Sequence, residues 1–402
     1  MRIASFGPAV LPLLAAWVLS SRAGASGWGR GMVGGIDALA LLLMALLWNA
    51  DPGADLFRLF LGSCVLGTLT FAAASPEQDI ESLCRLHLGA SLAIVAVSTR
   101  EPSWSVPAVL LFGILVLQTR ERLVLFLVPS FASLAGLVIV ARADAEGLGL
   151  ILIVAGLSSM WLIVSREILR RSTSGLVTRM AASFMLLVAV SSVQLRIAAW
   201  FPEGAPLGTI EALALVALTL GALGALGATR ITTFLTAFAL ARGGLVLFAH
   251  LGGAQGRAPS LMALGASGVS LLLLAAALDK TDTVDEVSIL GSVPRRLVLV
   301  LGALSAGSFP PFPGFVAAFP LSSAVLEQGH GFSLLAVSGL LFLLALGSMR
   351  VVARAWESGR TRTVDTTVGL AALGLAIAVT LAFSIAPSRL FEIAKAAALA
   401  IL

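Results

Sequence analysis

Residues 304–319 read LSAGSFPPFPGFVAAF. Prolines at 310, 311 and 313 and glycines at 307 and 314 fall inside a long apolar run. Proline removes an intrahelical hydrogen bond and glycine tolerates the dihedrals of an interruption. The stretch therefore reads as a helix broken in mid-course. No charged residue lies within it. A break at membrane depth survives only where it is buried in protein or faces a wet cavity, and broken helices recur in ion and substrate paths.

The rest of the chain places that break in a bilayer. The 402 residues are 58% hydrophobic and 12% charged, with a mean hydropathy of +1.02. A soluble domain carries about twice that charge. Fifteen apolar runs recur near 5–20, 32–49, 57–74, 83–99, 104–119, 122–141, 147–165, 177–200, 208–227, 231–252, 259–278, 296–309, 314–327, 332–354 and 364–385. A bilayer core needs roughly 20 residues per helix. The runs are continuous rather than alternating, which selects helices over a barrel. The expectation is an all-α polytopic membrane protein of about 13–15 spans, one or two of the short runs being re-entrant.

Met1–Ser20 reads as a first span, and the whole of 1–402 as a single transmembrane domain. The polar stretch 279–296 reads as a loop, and 387–402, with Arg389, Glu392 and Lys395 at helical spacing, as an amphipathic tail on the membrane surface. The basic run 165–179 points to the cytoplasm, but Arg350, Arg354, Arg360 and Arg362 fall on the opposite side by span count, so orientation stays open.

Net charge is +5. The arginines scatter to helix ends, which excludes a nucleic-acid surface. Cys64 and Cys84 form neither a metal spacing nor a disulfide framework. His87 is a lone histidine without ligand partners in the sequence. No phosphate loop, dinucleotide fingerprint, iron–sulfur or haem spacing is present, so no cofactor is expected.

The order of motifs resembles one family. LSAGSFPPFPGFVAAF is similar to the LSLAGIPPxAGFxxKF element of the antiporter-like membrane subunits of respiratory complex I, a family that includes Mrp cation/proton antiporters and energy-converting hydrogenases. The matching positions include Leu304, Ser305, Pro310, Pro311, Gly314, Phe315 and Phe319. GSMRVVARAW (347–356) resembles the family's YYYLRVV ending, with Arg350 in register. WFPEGAP (200–206) resembles WLPxAxxxAP, and GATRITTFLTAFALARGGLVLFAHLGG (227–253) resembles DLKRLLAYSSIxHxGxxxxGL. The likeness covers about 105–355. It implies a bundle of inverted repeats, about 105–206 and 207–330, each with a broken helix, and proton or cation translocation along a mid-membrane chain of Lys and Glu. Other membrane subunits, lipids, and protons or cations are the implied partners, in the cell inner membrane.

The same resemblance exposes departures. The family's Lys after the second break is Ala318 here, and its first-repeat Lys falls at Ser191. The expected Glu near 128–131 meets VPSF, a Lys–Arg pair becomes Thr232 and Thr233, and a Lys-bearing helix after WFPEGAP is missing. Ser and Thr hold water but store no charge near neutral pH, so the relay is largely lost.

Several polar residues remain in or beside spans. Arg242 lies roughly 16 Å from either end of its span at 1.5 Å per residue and occupies the family's His position. Arginine stays protonated, so it reads as an electrostatic plug, a partner for an anion or carboxylate, or a bridge to a neighbouring helix or subunit. His250 follows nearer the span end. Asp37 pairs with a basic residue or reaches the interface; Glu211 is a first-turn acid. Gln194 and Arg196 line the remnant of the first-repeat cavity, and Glu327 and His330 line a polar exit or a loop. Two alternatives stand beside a scaffold subunit with weak or absent translocation: a stand-alone transporter, and a membrane anchor for a redox enzyme.

Overall fold

The computed structural model describes residues 7–20, 80–99, 101–117, 123–142, 146–169, 175–198, 207–279, 281–289, 293–356 and 380–399, with isolated positions within 33–40, 60–68 and 374–378. It divides into two units, Met1–Pro206 with Ala396–Leu402 and Leu207–Lys395.

The first unit contains α1 (Gly7–Ser20), α2 (Ile80–Ser98), α3 (Pro102–Leu117), α4 (Leu123–Arg142), α5 (Glu146–Leu169) and α6 (Leu176–Ala198). Helix α6 is its centre: the most apolar window of the helix is 94% buried. Helices α4 and α5 close on each other through small residues. A Cβ on Gly136 would overlap the Gly149 carbonyl oxygen, and one on Gly156 would lie 2.6 Å from that of Pro129. Without water to drive association in a bilayer, such backbone approach is what brings helices together. Polar links add specificity: Trp161 Nε1 donates to Ser183 O at 3.2 Å, and Ser183 Oγ donates to Ser165 Oγ at 2.8 Å.

The second unit contains α7 (Leu207–Gly227), α8 (Ile231–Phe248) with a 3-10 turn at Ala249–Gly252, α9 (Gly253–Leu278), a 3-10 turn at Asp285–Ile289, α10 (Val293–Ala306), α11 (Pro313–Glu327) and α12 (Gly331–Trp356). The small-residue run 221–228 seats α7 on α8, where a Cβ on Gly221 would lie 2.5 Å from the Ala241 nitrogen. Helices α8 and α9 form the buried interior. Helices α7 and α12 turn Val216, Leu220, Leu223, Phe332, Leu335 and Phe342 outward, as an acyl-chain environment permits. At the α7–α8 turn, an isolated bridge pairs Arg230 with Thr283. Helix α13 (Pro387–Leu399) follows, with Arg389, Glu392 and Lys395 exposed and Ala394 and Ala397 buried.

Six segments among the described residues are long and apolar enough to cross a bilayer, the longest being Ile231–Leu278, which holds two helices. The chain is an all-α, multi-pass membrane protein.

The break lies between α10 and α11. Helix α10 ends in a Schellman pattern: Phe309 N–H donates to Leu304 O at 3.0 Å and Ser308 N–H to Ser305 O at 3.1 Å. That motif wants a left-handed residue, usually glycine. Here Ser308 takes it, at φ 58°. A cis peptide joins Pro310 to Pro311, and Pro313 opens α11 at its first turn, where a missing N–H costs nothing.

Candidate functional site

The break has its charge after all, supplied from another helix. Arg242 projects from α8, is 1% exposed, and reaches the C-terminal end of α10. Its Nη2 donates to Ser305 O at 2.8 Å, to Ala306 O, and to Ser308 Oγ at 3.2 Å. The Schellman bonds use the carbonyls of Leu304 and Ser305; Arg242 takes up Ala306. A helix C-terminus carries roughly half a negative charge, so a permanent cation there is held by both hydrogen bonds and the dipole. The hydroxyl of Ser308, in the left-handed position, accepts from the same nitrogen.

Gly314 completes the closure. A Cβ at this position would collide with Ser305 O and lie 2.9 Å from Arg242 Nη2. Only a bare backbone lets α11 start against the end of α10. On the neighbouring helix, Ser270 Oγ and Ser305 Oγ lie 2.7 Å apart. Pro310 and Pro311 are exposed, and Ala318, the expected lysine position, is buried among the α11 packing residues.

The same device recurs. Arg196 of α6 donates to the carbonyls of Ala96, Val97 and Thr99, at the C-terminal end of α2. Arg179 donates to Leu169 O at 2.8 Å, the last residue of α5. Arg350 donates to Leu226 O at 2.5 Å and to Ala228 O, at the end of α7. His250 directs Nδ1 at Val246 O (3.0 Å) and Leu247 O (3.1 Å), the end of α8, and is buried. Four arginines and a histidine thus bring side-chain nitrogens to helix C-terminal ends, where carbonyls run short of backbone donors. Each is a fixed cap in its own unit.

The remaining candidates separate. In the first unit, Gln194 Nε2 donates to Ser158 Oγ at 2.8 Å. Ser191 is buried, and its hydroxyl has no hydrogen-bond partner among the described residues. Asp37 meets His87, a residue that stands alone in the sequence. In the second unit, Ser333 Oγ donates to Glu211, and His330 Nδ1 lies 3.7 Å from the other Glu211 oxygen. Glu327 is exposed at the end of α11. The WFPEGAP motif lies outside the described residues, as do Arg360 and Arg362. Among the described residues no group of three metal-ligating side chains occurs.

Within the polar stretch between α9 and α10, residues 282–286 form a reciprocal cap. The amides of Asp282 and Thr283 donate to Glu286 Oε2 at 2.9 and 3.3 Å, and Glu286 N–H donates to Thr283 Oγ1 at 3.4 Å. The Asp282 amide, then that of Thr283, hold the Glu286 carboxyl below its ordinary value.

Solved structures share this architecture. A chain of the membrane-bound sulfane sulfur reductase, an archaeal respiratory membrane complex, superposes with a TM-score of 0.85 at 13% identity, covering 100% of this chain and 98% of that one. The chain has the antiporter-like fold. A chain of the Mrp complex from Dietzia sp. DQ12-45-1b shares that fold with a TM-score of 0.82 at 15% identity, over 99% of this chain and 97% of that one. A chain of respiratory complex I from Thermus thermophilus with bound aureothin gives 0.81 at 15% identity, over 96% and 98%. No family model matches the sequence, and no curated protein matches it. At these identities the antiporter-like fold is shared while the side chains at Ser191 and Ala318 are free to differ from the pattern that the sequence resembles.

Proposed function

We propose that this chain is an antiporter-like subunit of a multi-subunit membrane complex of the complex I or Mrp kind, in the cell inner membrane, where it scaffolds and seals the assembly and conducts few or no protons. The observation that carries the reading is Arg242 on the break. A relay needs a group there that can give up a proton; a guanidinium bonded to two carbonyls and a hydroxyl is a permanent charge. The small side chains Ala318 and Ser191, at positions where the resemblance expects lysines, support the same conclusion. The outward apolar faces of α7 and α12 suit lipid or neighbouring membrane subunits.

The test is extraction of the tagged chain from native membranes in mild detergent, followed by native electrophoresis and mass spectrometry. The reading expects a stoichiometric assembly with other multi-pass polypeptides. Recovery of the 41.3 kDa chain alone, active in solute uptake, would replace this reading with a stand-alone transporter.

A further inference from the structure

Asp37 and His87 stand fifty residues apart in sequence and meet inside the first unit, both fully buried. His87 Nε2 lies 3.2 Å from Asp37 Oδ2. His87 Nδ1 lies 2.8 Å from the Leu83 carbonyl oxygen, one turn earlier on α2. A carbonyl oxygen only accepts, so Nδ1 carries a hydrogen. The remaining ring nitrogen then faces a carboxylate oxygen. Without a proton between them, two lone pairs would oppose each other and the pair would hold a net negative charge inside a span, where unpaired charge is strongly disfavoured. With one proton between them the pair is neutral, whether that proton sits on nitrogen or on oxygen.

Among the described residues, nothing packed on α2 supplies a competing charge. Helices α1 and α3 contain no charged residue. On α6, Arg179 is engaged with Leu169 and Arg196 with the far end of α2. On α2 itself, Glu81 and Arg85, six and two residues before His87, pair with each other. Around Asp37, the run 32–47 has no other charged residue. Asp37 Oδ1 has no hydrogen-bond partner among the described residues, so an ionised Asp37 is poorly solvated unless the proton beside Oδ2 is present.

We propose that Asp37 and His87 form a proton-binding site in the first unit, taking up one proton between Nε2 and Oδ2 onto an Nδ1–H imidazole and a carboxylate. The ligand is the proton itself. The inference is independent of the closed break in the second unit: a chain that conducts nothing can still store a proton here.

The chain contains three histidines, which makes the test direct. Full-length protein labelled with 15N-histidine is studied in lipid at neutral pH by solid-state NMR, with the His87 signals assigned by their loss in H87Q, and by infrared spectroscopy in H2O and D2O. The expected result is a protonated Nδ1 together with one of two partners. One is a second N–H on the same ring; the other is a carboxylic-acid C=O band that shifts in D2O and disappears in D37N. The side-chain amide introduced by D37N has no titratable proton and turns its N–H toward the ring. The shared proton is therefore lost, and His87 becomes a neutral ring with an unprotonated Nε2. A bare Nδ1 with Nε2–H and no acid band overturns the proposal, as does a His87 spectrum identical in D37N. Should D37N fail to fold, the wild-type NMR and infrared spectra decide between these states without it.

Discussion

Replacing Arg242 by Met keeps an unbranched stem and removes the guanidinium from the break. Three contacts disappear: Ser305 O at 2.8 Å, Ala306 O, and Ser308 Oγ at 3.2 Å. Hydrogen bonds to a charged donor contribute about 1.5–3 kcal/mol each. Counting the two carbonyl bonds gives a loss of about 3–6 kcal/mol. Against it stands relief from burying a cation, which costs several kcal/mol per ion. The Ser305 carbonyl keeps its bond from Ser308 N–H, so the uncompensated loss centres on Ala306, at about 1–3 kcal/mol for a buried acceptor left without a donor. The net is a local destabilisation of about 2 kcal/mol, which corresponds to about a 30-fold change in an opening equilibrium. Hydrogen–deuterium exchange read by mass spectrometry suits the question, because the Ser308 and Phe309 amides close the Schellman turn. Exchange of peptides spanning 304–316 is expected to accelerate about 30-fold in R242M, while peptides from 176–198 in the other unit stay unchanged. Arg242→Lys falls between, since the ammonium keeps the charge and its donors but sits on a side chain one bond shorter than the reach of Nη2. Unaltered exchange across 304–316 in R242M would refute the assignment of Arg242 as the cap of the break.

Three further outcomes follow from the same geometry. Ser191→Ala should leave thermal stability unchanged or raise it by up to about 1 kcal/mol, since its buried hydroxyl lacks a partner among the described residues; a loss beyond about 1 kcal/mol would reveal a bound partner. Gly314→Ala should cost about 1–3 kcal/mol, because its Cβ meets the unyielding Ser305 backbone, whereas Gly339→Ala, with nothing within 4 Å, should be neutral or mildly stabilising in the same melting assay. The lowered Glu286 carboxyl stabilises the 283–286 cap above the ordinary carboxylate value, about 4.3, and that support is lost as pH falls through the lowered value. Exchange protection of the Asp282 and Thr283 amides should therefore fall in acid in the wild type and be weaker but independent of pH in Glu286→Gln, whose amide oxygen still accepts.

Helix type was legible because long apolar runs leave the backbone no alternative in lipid. The break was legible because proline and glycine act locally, within the sixteen residues 304–319. Arg242 was legible as a deeply placed charge from its distance to both span ends. Its destination was not, since its acceptors lie 63–66 residues away and two of them are backbone carbonyls, which bear no side-chain signature. Arg196 and Arg350 share that opacity: in sequence they read as lining or register residues, and both are clamps on the carbonyl ends of distant helices. His87 reads as solitary because its partner Asp37 is on a different segment. One signal points to the pair: each is an ionisable residue inside an apolar run, and such residues require a partner.

The central claim is that this bundle lacks the proton-carrying side chains its resemblance implies, with neutral Ser191 and Ala318 at the lysine positions and the fixed charge of Arg242 on the break. Its most direct test is proton flux through full-length chain reconstituted in vesicles, driven by a potassium diffusion potential and read with an internal pH dye. The account predicts a rate equal to protein-free vesicles for the wild type, S191A and R242M alike. A potential-driven flux in the wild type that R242M abolishes would contradict it.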